Sequence, residues 1–222
     1  MIPGANAAMI LLVLTNLMLL GSSRLAAHVR LTAFHGFLVG ILPLLVASER
    51  FSLELVGMAA LAVAVKSVLF PLLMRRVMRD AQMGREAAPF VGYSLSLLLG
   101  VVALGVSLWL SARLPLPASR GGNLVLPAAF FSMFAGLILI TTRRKAVTQA
   151  LGYLVMENGI YAAGVAMVHG VPMLIELGVL LDVFVGVFLM GILIFHISRE
   201  FDHIDTDQLA TLKDWDADGR TP

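Results

Sequence analysis

Seven apolar stretches follow one another along this chain, at about 2–23, 31–47, 53–74, 90–112, 124–141, 147–168 and 173–195. Each is long enough to cross roughly 30 Å of hydrocarbon as a helix. Inside a bilayer no water satisfies the backbone, which leaves only helices and closed barrels as spanning forms. Barrel strands alternate apolar and polar residues over about ten positions, and these stretches do not alternate. The expectation is an all-α, polytopic membrane helix bundle of about seven transmembrane helices. Composition agrees, because 59% of the 222 residues are hydrophobic and 14% charged, against about 25% charged in a soluble domain. Too few polar residues remain to cover a soluble surface of this size.

The 16 Lys and Arg residues set the orientation. The connections alternate: Arg24 and Arg30; Arg50 alone; Arg75, Arg76, Arg79 and Arg85; Arg113 and Arg120; Arg143, Arg144 and Lys145; none; then Arg199, Lys213 and Arg220 in the tail. One side collects twelve and the other three, which by the positive-inside rule puts the N-terminus outside and the C-terminus in the cytoplasm. Scattered in this way, the basic residues form no stripe that could follow a phosphate backbone, so nucleic acid is not an expected partner. The chain has no cysteine. It therefore offers no thiolate to an iron–sulfur cluster and forms no disulfide. The first stretch has no basic residue before its apolar run, which favours an uncleaved helix over a signal peptide. Three regions result: a four-helix membrane region at 1–112, a three-helix region at 124–197 and a polar cytoplasmic tail at 198–222, whose six aspartates describe a solvated segment.

Ionisable residues inside the stretches stand out against that background. A charge at mid-depth costs about 3 kcal/mol on insertion scales, so it is rarely kept without a task. Glu157 falls at the middle of the sixth stretch and Asp182 near the middle of the seventh. Glu176 lies one turn beyond Pro172, close to the outer surface, where the helix dipole alone could explain an anion. Gln149, Tyr153, Glu157 and Tyr161 recur every four residues and so form a drifting stripe along one helix face. Such a stripe can pass a proton or make a polar helix–helix seam, though a seam could use Asn or Ser at lower cost.

Lys66 sits within the third stretch, 12 residues from Glu54, about 18 Å along a helix and too far to pair with it. It could snorkel toward the Arg75 end, join a structural salt bridge or take part in proton transfer. His28 and His35 share a face of the second stretch. With no third ligand at helical spacing, they suit a polar helix contact better than a metal site. His196 closes the seventh stretch at the cytoplasmic face, where an imidazole could exchange protons with the interior or cap the last carbonyls.

Certain strings carry a family resemblance: MENGIYAAG in the sixth stretch, LLDVFVGVFLMGILIFHI in the seventh, and the exit HISREFDHIDTDQLATLKD with Ile204-Asp205. The part from Leu124 onward resembles subunit K of respiratory complex I and the C subunit of multi-subunit cation/proton antiporters. The whole chain is similar to the hydrogenase-4 component E family of group 4 membrane-bound nickel–iron hydrogenases and formate hydrogenlyase-type complexes. The resemblance implies one intramembrane carboxylate in each of the last two helices, both in a lateral proton path. Glu157 matches the first. At the second, this chain has Asp182 where a Glu is usual, with Glu176 a competing candidate six residues earlier.

The resulting expectation is a non-catalytic subunit of a complex I-like respiratory hydrogenase complex in the bacterial or archaeal cytoplasmic membrane. Its proton or cation path would use Glu157 and Asp182, with Glu176, Tyr153, Lys66 and His196 contributing. No cofactor or metal is expected on this chain. The resemblance implies antiporter-like membrane subunits and peripheral hydrogenase or oxidoreductase subunits as partners, the latter holding the nickel–iron centre and iron–sulfur clusters. The alternatives are a stand-alone secondary transporter, for which the chain shows no paired halves, and a purely structural membrane anchor of a redox complex.

Overall fold

The computed structural model describes residues 3–46, 53–80, 90–114 and 124–167. The seventh stretch with Glu176, Asp182 and His196, the polar tail and the turn chemistry at 115–123 lie outside the described residues. The described residues belong to one compact unit, Met1–Phe184, and contain helices and turns but no strand.

The elements are α1 (Pro3–Gly21), α2 (Leu25–Gly40), α3 (Leu42–Val46), α4 (Leu53–Val63), a π-helical segment (Ala64–Leu69), α5 (Phe70–Asp80), α6 (Tyr93–Arg113), α7 (Val125–Thr142) and α8 (Ala146–Met167). They form five spans long and apolar enough to cross a membrane: Gly4–Gly21, Leu25–Val46, Leu55–Arg76, Tyr93–Arg113 and Val125–Thr142. With 22 residues, α8 is as long as any of these. Its Gln149, Glu157 and Asn158 make it less apolar than α7.

Two prolines explain the two interruptions. Pro43 has no N–H to give the Val39 carbonyl and crowds it, so the second span breaks between α2 and α3 at Ile41. Pro71 would do the same to Ser67. The third span absorbs it upstream with a π turn in which the Phe70 amide reaches back to Val65 O, five residues away.

The second span begins at Leu25 rather than at residue 31, so Arg30 is helical and not a loop residue. Its Nε lies 3.4 Å from Ala26 O and its side chain is exposed. Likewise the third span runs on through Arg75 and Arg76 to Asp80. Arginine favours helix, and its long stem lets the charged head reach water from inside an apolar stretch.

The helices meet closely through glycine. A Cβ on Gly136 of α7 would lie 2.5 Å from both Gly152 O and Met156 N of α8, and one on Gly36 of α2 would lie 2.8 Å from Lys66 O. These approaches are backbone to backbone, so any side chain there would force the pair apart.

One end of the bundle gathers three connections. Arg143 caps α1 by donating from Nη2 to Leu20 O at 2.6 Å, and its guanidinium lies 4.6 Å over the Tyr93 ring. The Phe90 amide donates to Thr142 O at 3.0 Å, and Arg144 lies 4.5 Å over the Phe90 ring. Residues 22–24, 90–92 and 143–145 adjoin three of the basic connections in the sequence. An apolar cluster including Met9, Leu12, Val39, Leu42, Val125 and Ala162 fills the opposite half.

Candidate functional site

Glu157 is the twelfth of the 22 residues of α8, and Lys66 sits at the midpoint of the span Leu55–Arg76. At matched depth on facing helices the two side chains meet. Lys66 Nζ donates to Glu157 Oε1 at 2.8 Å and to Oε2 at 2.9 Å, and both residues are buried, at 4% and 2% exposure. The Tyr161 ring, one turn beyond Glu157, lies with its centroid 5.2 Å from the ammonium, within reach of a cation–π attraction. Lys66 therefore does not snorkel. The salt-bridge reading of this residue holds, with Glu157 as partner.

Sealed from water, each charge is tolerated because of the other. Desolvating both is expensive, and the contact compensates only when the geometry is close and the remaining hydrogen-bonding capacity is used. The carboxylate straddled by the ammonium meets the first condition.

Asn158, the next residue along α8, carries the polar contacts across to α2. Its Nδ2 donates to His35 Nδ1 at 3.2 Å. His35 Nε2 then donates to Ser132 Oγ of α7 at 3.3 Å, and Ser132 Oγ donates to Ala128 O at 2.9 Å. Asn16 of α1 adds a second donor to the same hydroxyl, Nδ2 to Oγ at 2.8 Å. This pattern is satisfied by a neutral His35 with its proton on Nε2. Five elements thus contribute to one polar layer: α1, α2, the π segment, α7 and α8. Lys66 is close enough to His35 to act on it electrostatically.

Of the expected site residues, Glu157 and Lys66 are brought together. Tyr153 is half-buried a turn nearer the basic end, and no contact among the described residues joins it to the pair. Gln149 turns away to donate to Arg143 O at 2.9 Å. Asp182, Glu176 and His196 lie outside the described residues. His35 takes the helix-contact role expected of it, while His28 bonds Arg24 O through Nδ1 at 3.1 Å. Ser132 and Asn16 are residues that sequence reasoning overlooks, since a single hydroxyl or amide in an apolar stretch is a weak signal. The signal that could have paired Lys66 with Glu157 is their opposite charge at equal depth. Among the described residues no group of three or more His, Cys, Asp or Glu could hold a metal ion.

A polytopic helical membrane protein with a charged pair and a polar layer enclosed in its bundle is the class these features define. The chain belongs to the family of the Mycobacterium tuberculosis protein Rv0085, itself uncharacterized, with which it is 34% identical over 207 residues, 91% of this chain and 93% of that one. More distantly, it is related to hydrogenase-4 component E of Escherichia coli and of Shigella flexneri, 26% identical in each case over 160 residues, 72% of this chain and 74% of theirs. No family model matches the chain, and no solved structure matches it significantly.

Proposed function

We propose that this chain is a non-catalytic, integral membrane subunit of a hydrogenase complex, and that Lys66 and Glu157 form a protonatable relay in its proton or cation path. The observation that carries the reading is the buried pair at mid-depth, 2.8 Å from Nζ to Oε1, placed where a charge is costly and usually functional. The relation to hydrogenase-4 component E supports the choice of complex. The resemblance of the sequence from Leu124 onward to subunit K supports a path running laterally through the membrane, with Asp182 or Glu176 as a second station and Tyr153 and His196 as contributors.

In chemical terms, a carboxylate that already faces an ammonium can take up one further proton and leave Lys66 as the only charge. Losing that proton restores the pair. Alternation between the two states makes the charge of this layer depend on proton supply from one side and demand on the other. The partners of this reading are antiporter-like membrane subunits and peripheral hydrogenase or oxidoreductase subunits carrying the redox centres. The positive-inside distribution of basic residues supports a basic end facing the cytoplasm of a bacterial or archaeal cell.

Gentle purification followed by identification of the companions tests the assembly, for which a hydrogenase large subunit and antiporter-like subunits are expected. Isolation of the chain alone would favour a stand-alone transporter. For the relay, Glu157→Gln keeps an oxygen for the Lys66 ammonium but cannot change charge. The variant complex is expected to assemble and to translocate fewer protons per turnover, and unchanged translocation would remove Glu157 from the path.

A further inference from the structure

We infer that the buried face of α2, from His28 through Thr32 to His35, is a hydrated branch along which protons pass between the basic end of the bundle and the Lys66–Glu157 pair. The inference rests on the reading of that pair as a relay and adds the route by which it is reached.

The polar residues are graded by depth. Counted from the Leu25 end of α2, His28 lies about 5 Å in, Thr32 about 11 Å and His35 about 15 Å, at 1.5 Å per residue. Asn16 of α1 reaches the same Ser132 hydroxyl as His35. All four side chains are at most 3% exposed. Beyond Gly36 the buried face of this span changes character and presents Leu38, Val39, Leu42 and Val46. The polar residues of this face thus lie on the side of the basic end, and the apolar ones on the other.

Within this polar half three buried atoms have no hydrogen-bond partner among the described residues: Thr32 Oγ1, Asn16 Oδ1 and Asn158 Oδ1. Leaving such an atom unsatisfied is costly, and buried water is the usual remedy where polar atoms converge. Thr32 is informative because a helical threonine can bond the carbonyl one turn back, as Thr15, Thr141 and Thr142 do here, whereas Thr32 does not. Asn158 Oδ1 belongs to the residue adjoining Glu157 and so places a water acceptor next to the relay.

Asn158 also suits both protonation states of His35. With the amide as found, Nδ2 donates to a neutral ring. With the amide turned over, Oδ1 accepts from a ring that carries a proton on Nδ1. A proton taken from water at the basic end occupies Nδ1 only in passing, since a second cation near the Lys66 ammonium is unfavourable, and leaves through water to the Glu157 carboxylate. Only N–H and O–H bonds change.

The full chain in lipid nanodiscs, exposed to brief X-ray hydroxyl-radical footprinting, provides the first measurement, since radicals formed from bound water oxidise the side chains they touch. His35 is expected to be oxidised at least several-fold faster than the buried Phe131, which packs in an apolar cluster; equal protection of the two overturns the branch. The second measurement is proton translocation by the assembled complex. Thr32→Val, which keeps the shape and removes the hydroxyl, is expected to slow it several-fold, and Thr32→Ser to retain it. Normal translocation in Thr32→Val overturns the branch whatever the labelling. Normal translocation in Glu157→Gln overturns the relay itself, so the two failures are separable.

Discussion

Lys66 and Glu157 stand 91 residues apart in the chain, and Nζ lies within 2.9 Å of both carboxylate oxygens. A buried pair of this kind is most sensitive to the loss of one member, which leaves the other charge uncompensated. Lys66→Met and Glu157→Leu, made singly, are each expected to destabilise the chain by about 3–5 kcal/mol, and the double variant to recover most of that loss. Thermal unfolding of the detergent-solubilised chain measures both. If the recovered double variant also translocated protons normally, the pair would be a structural joint and the anchor reading would stand.

Glycine at the helix crossings gives a second expectation. Gly136→Ala puts a methyl group 2.5 Å from the Gly152 carbonyl, and Gly36→Ala puts one 2.8 Å from that of Lys66. Neither neighbour is a flexible side chain that could give way. Each substitution is expected to cost about 1–3 kcal/mol, in the range of an overpacked core. Gly57→Ala, which would meet nothing within 4 Å, is expected to be neutral or to stabilise slightly. Melting temperatures of the three variants make the comparison.

Arg143 joins α1, α6 and α7 through one side chain, bonded to Leu20 O and stacked on Tyr93. A hydrogen bond from a charged donor contributes about 1.5–3 kcal/mol. Arg143→Met is expected to lose at least that much, and Arg143→Lys to restore little, because an ammonium cannot stack as a planar guanidinium does. Limited proteolysis at residues 22–24 and 90–92 should accelerate in both variants.

Ser132 accepts from Asn16 and His35 at once. Ser132→Ala leaves two buried donors without their acceptor, at about 1–3 kcal/mol each, and frees the His35 ring to turn. Ser132→Thr keeps the hydroxyl. The expected order of stability in thermal unfolding is wild type, then Thr, then Ala.

Much of this arrangement is legible in the residues before any coordinates. The apolar runs specify spans because a bilayer leaves the backbone no alternative to helix, and five of them reappear, four within a few residues of their expected limits and the second starting six residues earlier. Glu157 and Lys66 stand out because ionisable groups are conspicuous in apolar stretches. Their pairing is not legible in the same way. It depends on which helices face each other, and Lys66 meets Glu157 because Gly36 lets α2 and the π segment close up beside α8. The boundary at Leu25 escapes a hydropathy reading because Arg30 interrupts the apolar run without interrupting the helix. Ser132 and Asn16 escape it because their importance lies in geometry rather than residue type.

The tight crossing of Gly36 over the Lys66 backbone bears on what could move through this layer. The lysine is held from behind by a neighbouring main chain and faced in front by the carboxylate and an aromatic ring, so its head group has little freedom to swing from one side of the membrane to the other. On the proposed reading of the pair as a relay, a proton would be handed on between fixed groups, along a line of oxygen and nitrogen atoms. On the same reading, a larger cation would pass only if the helices parted.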